Sequence, residues 1–391
     1  MPHSTDCAPN RLIFSSANRC ADLRYESGFN AEDDFLWFST KQLTAIAVHP
    51  LEYGRAVKQR RSDVQVLDRT HLREALKLSE VLPEKYRDVS NGTLRDILSI
   101  SEAFDVTNWQ VPYDFPCGLA QNLAQYGVTV SPIPRFSPAR EIKRADEVEN
   151  VRKAQRIAEA GLAQADRILA ASIIGNDGLL YYHGELITAE ILRGAINAEI
   201  ARLGGNPSGT IAAPGPQGAD PHQVGSGPIA ANSPIIMDIF PRDEATGYFG
   251  DLTRTRVKGK APEIVRKTYE TVLEAQQRVL ETLKPDTPCC DYHNMVVDFF
   301  KQQGYQTGWD AQHACYYGFF HGLGHSVGLE IHESPSLSRG VEKLLTPGNV
   351  VTVEPGLYYP AWGGIRIEDT VAITTTGIDN LTVAPKFLEI E

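Results

Sequence analysis

Residues 234–255 read PIIMDIFPRDEATGYFGDLTRT, and this stretch decides the fold of the C-terminal half of the chain. The apolar strand that opens it carries one aspartate, Asp238, and a polar turn follows. The returning strand contains Asp251 and Thr253. Side chains alternate between the faces of a strand, so Asp251 and Thr253 point the same way, and strand pairing would bring Asp238 onto that face. Because a lone buried carboxylate is costly, the pattern predicts either a cation or strong hydrogen bonds there, and Thr253 would suit a role in orienting a ligand.

A glycine- and histidine-rich segment lies further along the chain. Residues 321–333, HGLGHSVGLEIHE, contain His321, His325 and His332. Neutral imidazole is the commonest nitrogen ligand for transition metals in proteins. A single histidine, by contrast, is more often a core or surface residue, so the segment by itself leaves both interpretations open.

Two more carboxylates follow apolar strand patterns. Residues 350–356, VVTVEPG, contain Glu354, and residues 364–369, GIRIED, contain Glu368. The alternation in the second segment predicts that Arg366 and Glu368 share one face. Taken singly, each carboxylate could pair with an arginine or a backbone amide, and Glu354 could be a turn residue.

Four carboxylates and one imidazole form a hard, oxygen-rich ligand set that matches two divalent cations. Such ligands favour Mn(II), Fe(II), Co(II) or Zn(II). Two ions about 3.5–4 Å apart lower the pKa of water and polarise a carbonyl group. The joint set therefore predicts a two-metal hydrolytic site, since each structural alternative would need its own separate explanation.

The C-terminal half repeats one order of elements. We predict helices over residues 146–169, after a Thr188 cap, over residues 262–283 and over residues 292–303, with strands after each pair. Two helices followed by strands, twice over, indicate two similar halves.

The N-terminal half alternates short apolar runs with helical patterns, which predicts an α/β domain. The predicted strands cover residues 11–14, 35–38, 43–48, 64–67 and 128–130, and the predicted helices residues 71–82 and 94–104. Residues 131–138 contain three prolines, which break helices and ladders. We therefore predict two domains, 1–138 and 139–391.

Composition limits the function classes. The 391 residues carry a formal charge of −11, which argues against nucleic acid or an anionic membrane as a partner. The six cysteines lack the spacing of a zinc ribbon or redox motif, which favours free thiols. Residues 1–6 show no signal-peptide pattern, and no apolar run reaches the roughly 18–20 residues of a membrane span. These features predict a cytoplasmic protein.

The motifs together resemble the pita-bread metallopeptidases, which include methionine aminopeptidase, aminopeptidase P and prolidase. The shared pattern is an Asp in an apolar strand, an Asp in D-x-T-R-T, a His in H-G-x-G-H, a Glu in E-P-G and a Glu in R-I-E-D. In this chain the corresponding metal ligands are Asp238, Asp251, His325, Glu354 and Glu368. Residues 22–29, DLRYESGF, resemble the creatinase-type leading domain, which points to the prolidase and aminopeptidase P branch.

The resemblance implies a fold and an activity. The fold is a creatinase-type N-terminal α/β domain followed by a pita-bread domain with pseudo-twofold ααββ halves. The activity is metal-dependent hydrolysis of Xaa-Pro bonds, at the N-terminus of peptides or in dipeptides. The implied cofactor is a pair of divalent ions, Mn(II) first and Co(II), Zn(II) or Fe(II) as alternatives. The implied partners are a small peptide with proline at its second position and a second copy of the chain in a homodimer.

The resemblance also implies roles for side chains. Asp251 and Glu368 would bridge the two ions, and Glu354 would move the proton from water to the leaving nitrogen. Arg366 would fix a carboxylate. Three histidines complete the set: His222 would bind substrate, His332 would stabilise the tetrahedral intermediate, and His321 would line the pocket.

The chain departs from the family pattern in two places. The turn between the two aspartates is about two residues longer than usual, which makes Asp243 a competing candidate; we prefer Asp238 because Asp243 lies outside the strand. Dipeptidases of this type often carry an Arg four residues after the intermediate-stabilising His. Here that residue is Ser336, and the nearest arginine is Arg339.

Three other functions share this fold. One is a metal-free creatinase-like amidinohydrolase, the second is another hydrolase or lyase with the same two-metal site, and the third is a non-catalytic binding protein. All five ligand positions are retained here, which argues against the first and the third function and leaves the second open.

Overall fold

The computed structural model describes residues 9–391, which form two compact units divided after Pro138. The first unit is built on a six-stranded mixed sheet of order β4-β3-β2-β1-β5-β6. Its strands are β1 Arg11–Ser15, β2 Phe35–Ser39, β3 Thr44–Val48, β4 Gln65–Asp68, β5 Asn108–Pro112 and β6 Thr129–Ile133. Its helices are α1 Ala21–Ser27, α2 Pro50–Gln59, α3 Leu72–Ala75, α4 Gly92–Phe104 and α5 Cys117–Gln125.

Both faces of this sheet are buried. Alternate side chains of β2 enter separate cores: Leu36 and Phe38 pack on one side, and Phe35 and Trp37 on the other. Burial of both faces confirms the α/β prediction for this unit.

The predicted helix over residues 71–82 is wrong beyond its first turn, because α3 ends at Ala75. Lys77 adopts a left-handed φ of 58°. Its N–H donates to the Glu74 carbonyl, and the N–H of Leu78 donates to the Arg73 carbonyl at 2.8 Å. This is the Schellman closure, which ends a helix by satisfying its last carbonyls.

The proline-rich segment also starts later than predicted. Residues 131–133 extend β6, which pairs with β5 at the edge of the sheet. Pro132 is tolerated there because an edge strand leaves one side of its backbone unpaired.

The second unit contains four longer helices and several sheets. Its helices are α6 Ala145–Ala171, α7 Ala189–Arg202, α8 Glu263–Thr282 and α9 Cys289–Gln302. Its strands are β7 Ile173–Ile174, β8 Leu180–Tyr182, β9 Glu185–Leu186, β10 Gly205–Asn206, β11 Ile211–Pro214, β12 Ile235–Ile239, β13 Arg242–Asp243, β14 Leu252–Lys258, β15 Gly308–Asp310, β16 Cys315–Tyr317, β17 Gly324–Ser326, β18 Glu333–Leu337, β19 Val350–Val353, β20 Gly356–Tyr359, β21 Gly363–Arg366, β22 Asp369–Ile373, β23 Ile378–Asn380 and β24 Glu389–Ile390.

The two larger sheets have the orders β11-β12-β14-β24 and β18-β17-β19-β22-β23. Residues of α6 and α7 pack with β12 in one core, and residues of α8 and α9 pack with β19 in another. The predicted order of two helices followed by strands holds for α8 and α9. In the first half it is wrong, because the short strands β7, β8 and β9 lie between α6 and α7. None of the described helices is long and apolar enough to cross a membrane.

Candidate functional site

One cavity of about 480 Å³ lies within the second unit. The nine residues to which the sequence analysis gave metal-binding or catalytic roles line it: His222, Asp238, Asp251, His321, His325, His332, Glu354, Arg366 and Glu368. Residues that are up to 146 positions apart in the sequence are thus brought to one place.

The hairpin of β12 and β14 brings the two aspartates together. Asp238 pairs with Thr253 across the ladder, so their side chains share one face. The strand predicted over residues 248–255 begins only at Leu252, and Asp251 immediately precedes it. Asp251 nevertheless keeps the alternation and lies on the side of Thr253.

Asp243 lies in β13, between β12 and β14, and pairs with Gly205 of β10, so the expectation that Asp243 lies outside a strand is wrong. Its carboxylate accepts hydrogen bonds from the Thr246 hydroxyl at 2.6 Å and from the Ala245 N–H at 3.3 Å. Asp243 does not line the cavity within residues 9–391. Its side chain stabilises the turn that follows β13.

His325 lies in β17 with its ring directed at the carboxylates. Its Nε2 is 3.6 Å from Asp251 Oδ2 and 3.4 Å from Glu354 Oε1. Its Nδ1 is 3.2 Å from the Ser326 carbonyl oxygen, which favours the tautomer with the proton on Nδ1. Burial lowers the pKa of His325 to about 4, so the ring is neutral and Nε2 offers a lone pair at neutral pH.

The glutamates lie just outside their strands. Glu354 follows β19, and Glu368 lies between β21 and β22, so the single strand predicted over residues 364–369 is wrong at this point. Glu368 accepts a hydrogen bond from the Thr253 hydroxyl at 2.7 Å. Thr352, which the sequence did not single out, donates to Glu354 at 3.2 Å.

Arg366 is the cation of the cavity. Its Nη2 donates to Asp238 Oδ2 at 2.7 Å, its Nη1 to the Tyr358 hydroxyl at 3.0 Å and its Nε to the Thr253 hydroxyl at 3.0 Å. Tyr358 is also 3.0 Å from His321 Nε2. No sequence signal identified Tyr358, which lies in an apolar strand.

The histidines differ in environment. Burial lowers the pKa of His321 to about 3, and its ring bonds Tyr358 and the Gly322 carbonyl. His332 is exposed, and the centroid of its ring is 4.4 Å from that of His325; partial desolvation lowers the pKa of His332 as well. His222 lines the same cavity from an exposed position.

The donor set fits divalent cations. Ligand atoms of Asp251, His325 and Glu368 all lie within 4.8 Å of one another. Burial first, and the neighbouring carboxylates second, raise the pKa of Asp251 and of Glu368 well above their usual range. Burial likewise raises the pKa of Glu354 to about 8. Such a cluster is costly to ionise unless cations neutralise it, and oxygen and imidazole ligands suit divalent ions.

Serine hydroxyls take part in the lining of the cavity. Ser336 lies opposite His325 in the ladder of β17 and β18, so the two side chains share a face. Within the described chain, Arg339 does not line the cavity, nor does any lysine.

Comparisons with known proteins agree with this geometry. The model of metallopeptidase family M24 matches residues 149–375. The Xaa-Pro dipeptidase of Pyrococcus furiosus is 41% identical over 174 residues, which are 44% of this chain and 47% of that protein. The chain thus aligns with about half the length of this curated relative. The uncharacterized peptidase YqhT of Bacillus subtilis is 30% identical over 275 residues, 70% of this chain and 74% of that protein.

A solved structure extends the similarity to both units. The prolidase from Pyrococcus furiosus superposes with a TM-score of 0.74 and 26% identity, over 96% of this chain and 97% of that one. The predicted fold class is therefore confirmed.

Proposed function

The chain belongs to metallopeptidase family M24, and we therefore propose that it is a metal-dependent exopeptidase that hydrolyses Xaa-Pro peptide bonds. The observation that carries this proposal is the convergence of four carboxylates and a neutral imidazole in one cavity. The names of the relatives also support a peptide substrate with proline at its second position.

The proposed metal ligands are Asp238, Asp251, His325, Glu354 and Glu368. Two divalent ions bound there would lower the pKa of water and polarise the scissile carbonyl group. We propose Mn(II) as the native metal, with Co(II), Zn(II) and Fe(II) as alternatives, because carboxylate-rich sites suit these ions.

The side chains of the chain itself supply the remaining steps. His332 is neutral at pH 7, so its N–H is available to donate to the oxyanion that develops on the scissile carbonyl. Bound cations would favour the ionised form of Glu354, which is mostly protonated at pH 7 without them. The ionised carboxylate takes a proton from the attacking water and passes it to the leaving proline nitrogen, which has no hydrogen of its own in the peptide bond. Arg366 holds Asp238 by a charge-assisted hydrogen bond. His222 and His321 are proposed to contact substrate.

The charge of the cavity favours peptides longer than two residues. Arg366, the cation of the described lining, is already bound to Asp238, Tyr358 and Thr253. A dipeptide brings its terminal carboxylate close to the scissile bond, where Ser336 offers a neutral hydroxyl. A longer peptide keeps that charge outside the cavity.

The remaining proposals concern organisation. Residues 1–138 would form the creatinase-like domain and residues 139–391 the pita-bread catalytic domain, which the division after Pro138 supports. The free cysteines among the described residues support a reducing, cytoplasmic location. A homodimer is proposed from the family resemblance and would be tested by light scattering.

The direct test is hydrolysis of Ala-Pro and of longer Ala-Pro peptides by purified protein supplied with Mn²⁺. Activity should disappear with a chelator and return with the metal. Asp251→Asn should lose metal binding and turnover together, since Asp251 contributes to the cluster of closest ligand atoms. Full activity in that variant, or cleavage that ignores the residue after the scissile bond, would overturn the proposal.

A further inference from the structure

Three of the candidate metal ligands project from backbone that lies outside the strands. Asp251 precedes β14, Glu354 follows β19, and Glu368 lies between β21 and β22. A ladder fixes the backbone of a strand through hydrogen bonds, and backbone beyond its end needs other partners. Two buried glutamines provide such partners.

Gln155 of α6 is fully buried and binds both backbone groups of Asp251. Its Oε1 accepts from the Asp251 N–H at 2.8 Å, and its Nε2 donates to the Asp251 carbonyl at 3.0 Å. The same Nε2 donates to the Thr382 hydroxyl at 2.9 Å. The side-chain amide of Gln155 thus supplies backbone hydrogen bonds to Asp251, the residue just before the start of β14.

Gly250 makes this contact possible. A Cβ at this position would lie 2.5 Å from the Ala154 carbonyl carbon and 2.6 Å from the Gln155 nitrogen. Both atoms belong to the backbone of α6, which cannot move aside easily. The absence of a side chain therefore lets the segment before Asp251 approach the helix within reach of Gln155.

Gln276 of α8 does the same in the other half of the unit. It is fully buried, and its Nε2 donates to the carbonyl of Val353 at 2.9 Å and of Ile367 at 3.1 Å. These residues immediately precede Glu354 and Glu368. A single amide nitrogen therefore ties together the two backbone segments from which both glutamates project.

The side-chain carbonyl oxygen of Gln276 lowers the stability that this contact provides. Its buried Oε1 has no hydrogen-bond partner among the described residues. A buried acceptor without a partner destabilises the folded protein, because it has lost its hydrogen bonds to water. An apolar side chain of similar shape would avoid that cost but would remove the donor that bridges the Val353 and Ile367 carbonyls.

We propose that Gln155 and Gln276 are positioning residues that hold the backbone of the metal ligands, one from the first helix of each half. This inference rests on the proposed metal site. Gln155 fixes Asp251, and Gln276 fixes the relative placement of Glu354 and Glu368. Neither amide lines the cavity within the described chain, so both act through other residues.

The test is metal affinity in Gln155→Met and Gln276→Met, which keep the shape of the side chain and remove its hydrogen bonds. Mn²⁺ binding is measured by titration calorimetry, and the visible absorption of Co²⁺-loaded protein reports the ligand geometry. We expect about 10–100-fold weaker Mn²⁺ binding in each variant, the usual effect of removing a group that orients a ligand. We also expect a Co²⁺ spectrum that differs from that of the parent.

Two controls separate positioning from stability. Thr271→Val removes a hydroxyl of α8 that, among residues 9–391, donates to the Lys267 carbonyl of its own helix. Val265→Ala creates a cavity at the buried start of α8. Both should lower the melting temperature and leave the Mn²⁺ affinity and the Co²⁺ spectrum of the folded protein unchanged.

Two variants that remove fewer hydrogen bonds allow metal affinity to be measured if a Met variant does not fold. Gln155→Glu keeps the acceptor for the Asp251 N–H, and Gln276→Asn keeps an amide too short to reach both carbonyls. Each should retain part of the affinity. Folded glutamine variants that bind Mn²⁺ as tightly as the parent, with an unaltered Co²⁺ spectrum, would overturn this inference alone. A parent protein that binds no Mn²⁺ would instead overturn the proposed function.

Discussion

The guanidinium of Arg366 and the carboxylate of Asp238 form a hydrogen-bonded ion pair at 2.7 Å, with side chains that are 4% and 16% exposed. The same guanidinium binds Thr253, whose hydroxyl in turn donates to Glu368. The planar fork of Arg366 therefore orients one candidate ligand directly and reaches a second through a hydroxyl.

Arg366→Lys should weaken both metal binding and turnover. A lysine carries the charge but cannot reproduce three directed hydrogen bonds from one planar group. We expect Mn²⁺ affinity and kcat/KM to fall by about 10–100-fold, the usual effect of losing an orienting partner. Arg256→Lys is the matched control, because Arg256 is equally buried but pairs with Asp166. Equal Mn²⁺ affinity in the two variants would contradict this account of Arg366.

The metal-free protein should lose stability as the pH rises. The pKa values of Asp251, Glu354 and Glu368 are raised in the folded chain, that of Glu354 to about 8, because burial and mutual repulsion disfavour their ionised forms. A raised folded pKa stabilises the protein below the unfolded value, near 4 for carboxylic acids, and this stability is lost as the pH rises through the folded pKa. With chelator present, the melting temperature should therefore fall as the pH rises from about 4, the unfolded pKa, to about 8, the folded pKa of Glu354.

Added Mn²⁺ should reverse that loss, because an ion that binds only the folded form stabilises it by about 2.7 kcal/mol at 100 times its Kd. Asp251→Asn removes one of the repelling carboxylates. It should raise the melting temperature of the metal-free protein at pH 8 and abolish the gain from Mn²⁺. A metal-free protein whose melting temperature is flat across this pH range would count against a buried acidic cluster.

A second buried ion pair supports the loop that carries His332. Lys143 Nζ lies 2.8 Å from Glu333 Oε2 and donates to the Ser326 hydroxyl at 3.0 Å. Because the ammonium is 2% exposed, Glu333→Gln should destabilise the protein by about 3–5 kcal/mol through an uncompensated buried charge. Adding Lys143→Met to that variant should recover part of the loss, which chemical denaturation would measure.

The pH dependence of this pair has the opposite sign to that of the acidic cluster. Burial acts to raise the pKa of Glu333, but the charges of Lys143 and Arg140 outweigh it, and the pKa is lowered. The stabilisation is present above the unfolded pKa of about 4.3 and is lost as the pH falls through the folded value. The stability difference between the parent and Glu333→Gln should therefore shrink in acid, and a constant difference would argue against an ion pair.

Local patterns in the sequence predicted much of the fold and the cavity lining. Alternation placed Asp251 and Thr253 on one face, and helical spacing located α6 within two residues of its observed ends. What could not be predicted depends on contacts distant in sequence. Gln155 is 96 residues from Asp251, and a buried glutamine inside an amphipathic helix carries no local signal of its partner. The ends of the strands at Asp251 and Glu368 were missed because side-chain alternation continues past the ladder.

The lining of the cavity predicts which length of substrate the protein prefers. Ser336 lies across the ladder from His325 and lines the cavity, whose arginine is already bound to Asp238. A free guanidinium would bind a dipeptide carboxylate more strongly than the Ser336 hydroxyl does, because an arginine–carboxylate pair combines opposite charges with two parallel hydrogen bonds. The unmodified protein should therefore cleave Ala-Pro amide and Ala-Pro-Gly at least as well as Ala-Pro.

Ser336→Arg introduces the missing charge on the face of His325, and it should shift the ratio of kcat/KM for Ala-Pro over Ala-Pro amide upward by about tenfold or more. Ser336→Gln is the matched control, since it adds similar length without charge and should leave that ratio near its original value. Because both substrates share the same scissile bond, the ratio isolates recognition of the carboxylate from any change in the chemical step. An unmodified protein that already prefers the free acid tenfold would show that another cation reaches the cavity during turnover, and the preference for longer peptides would then be wrong.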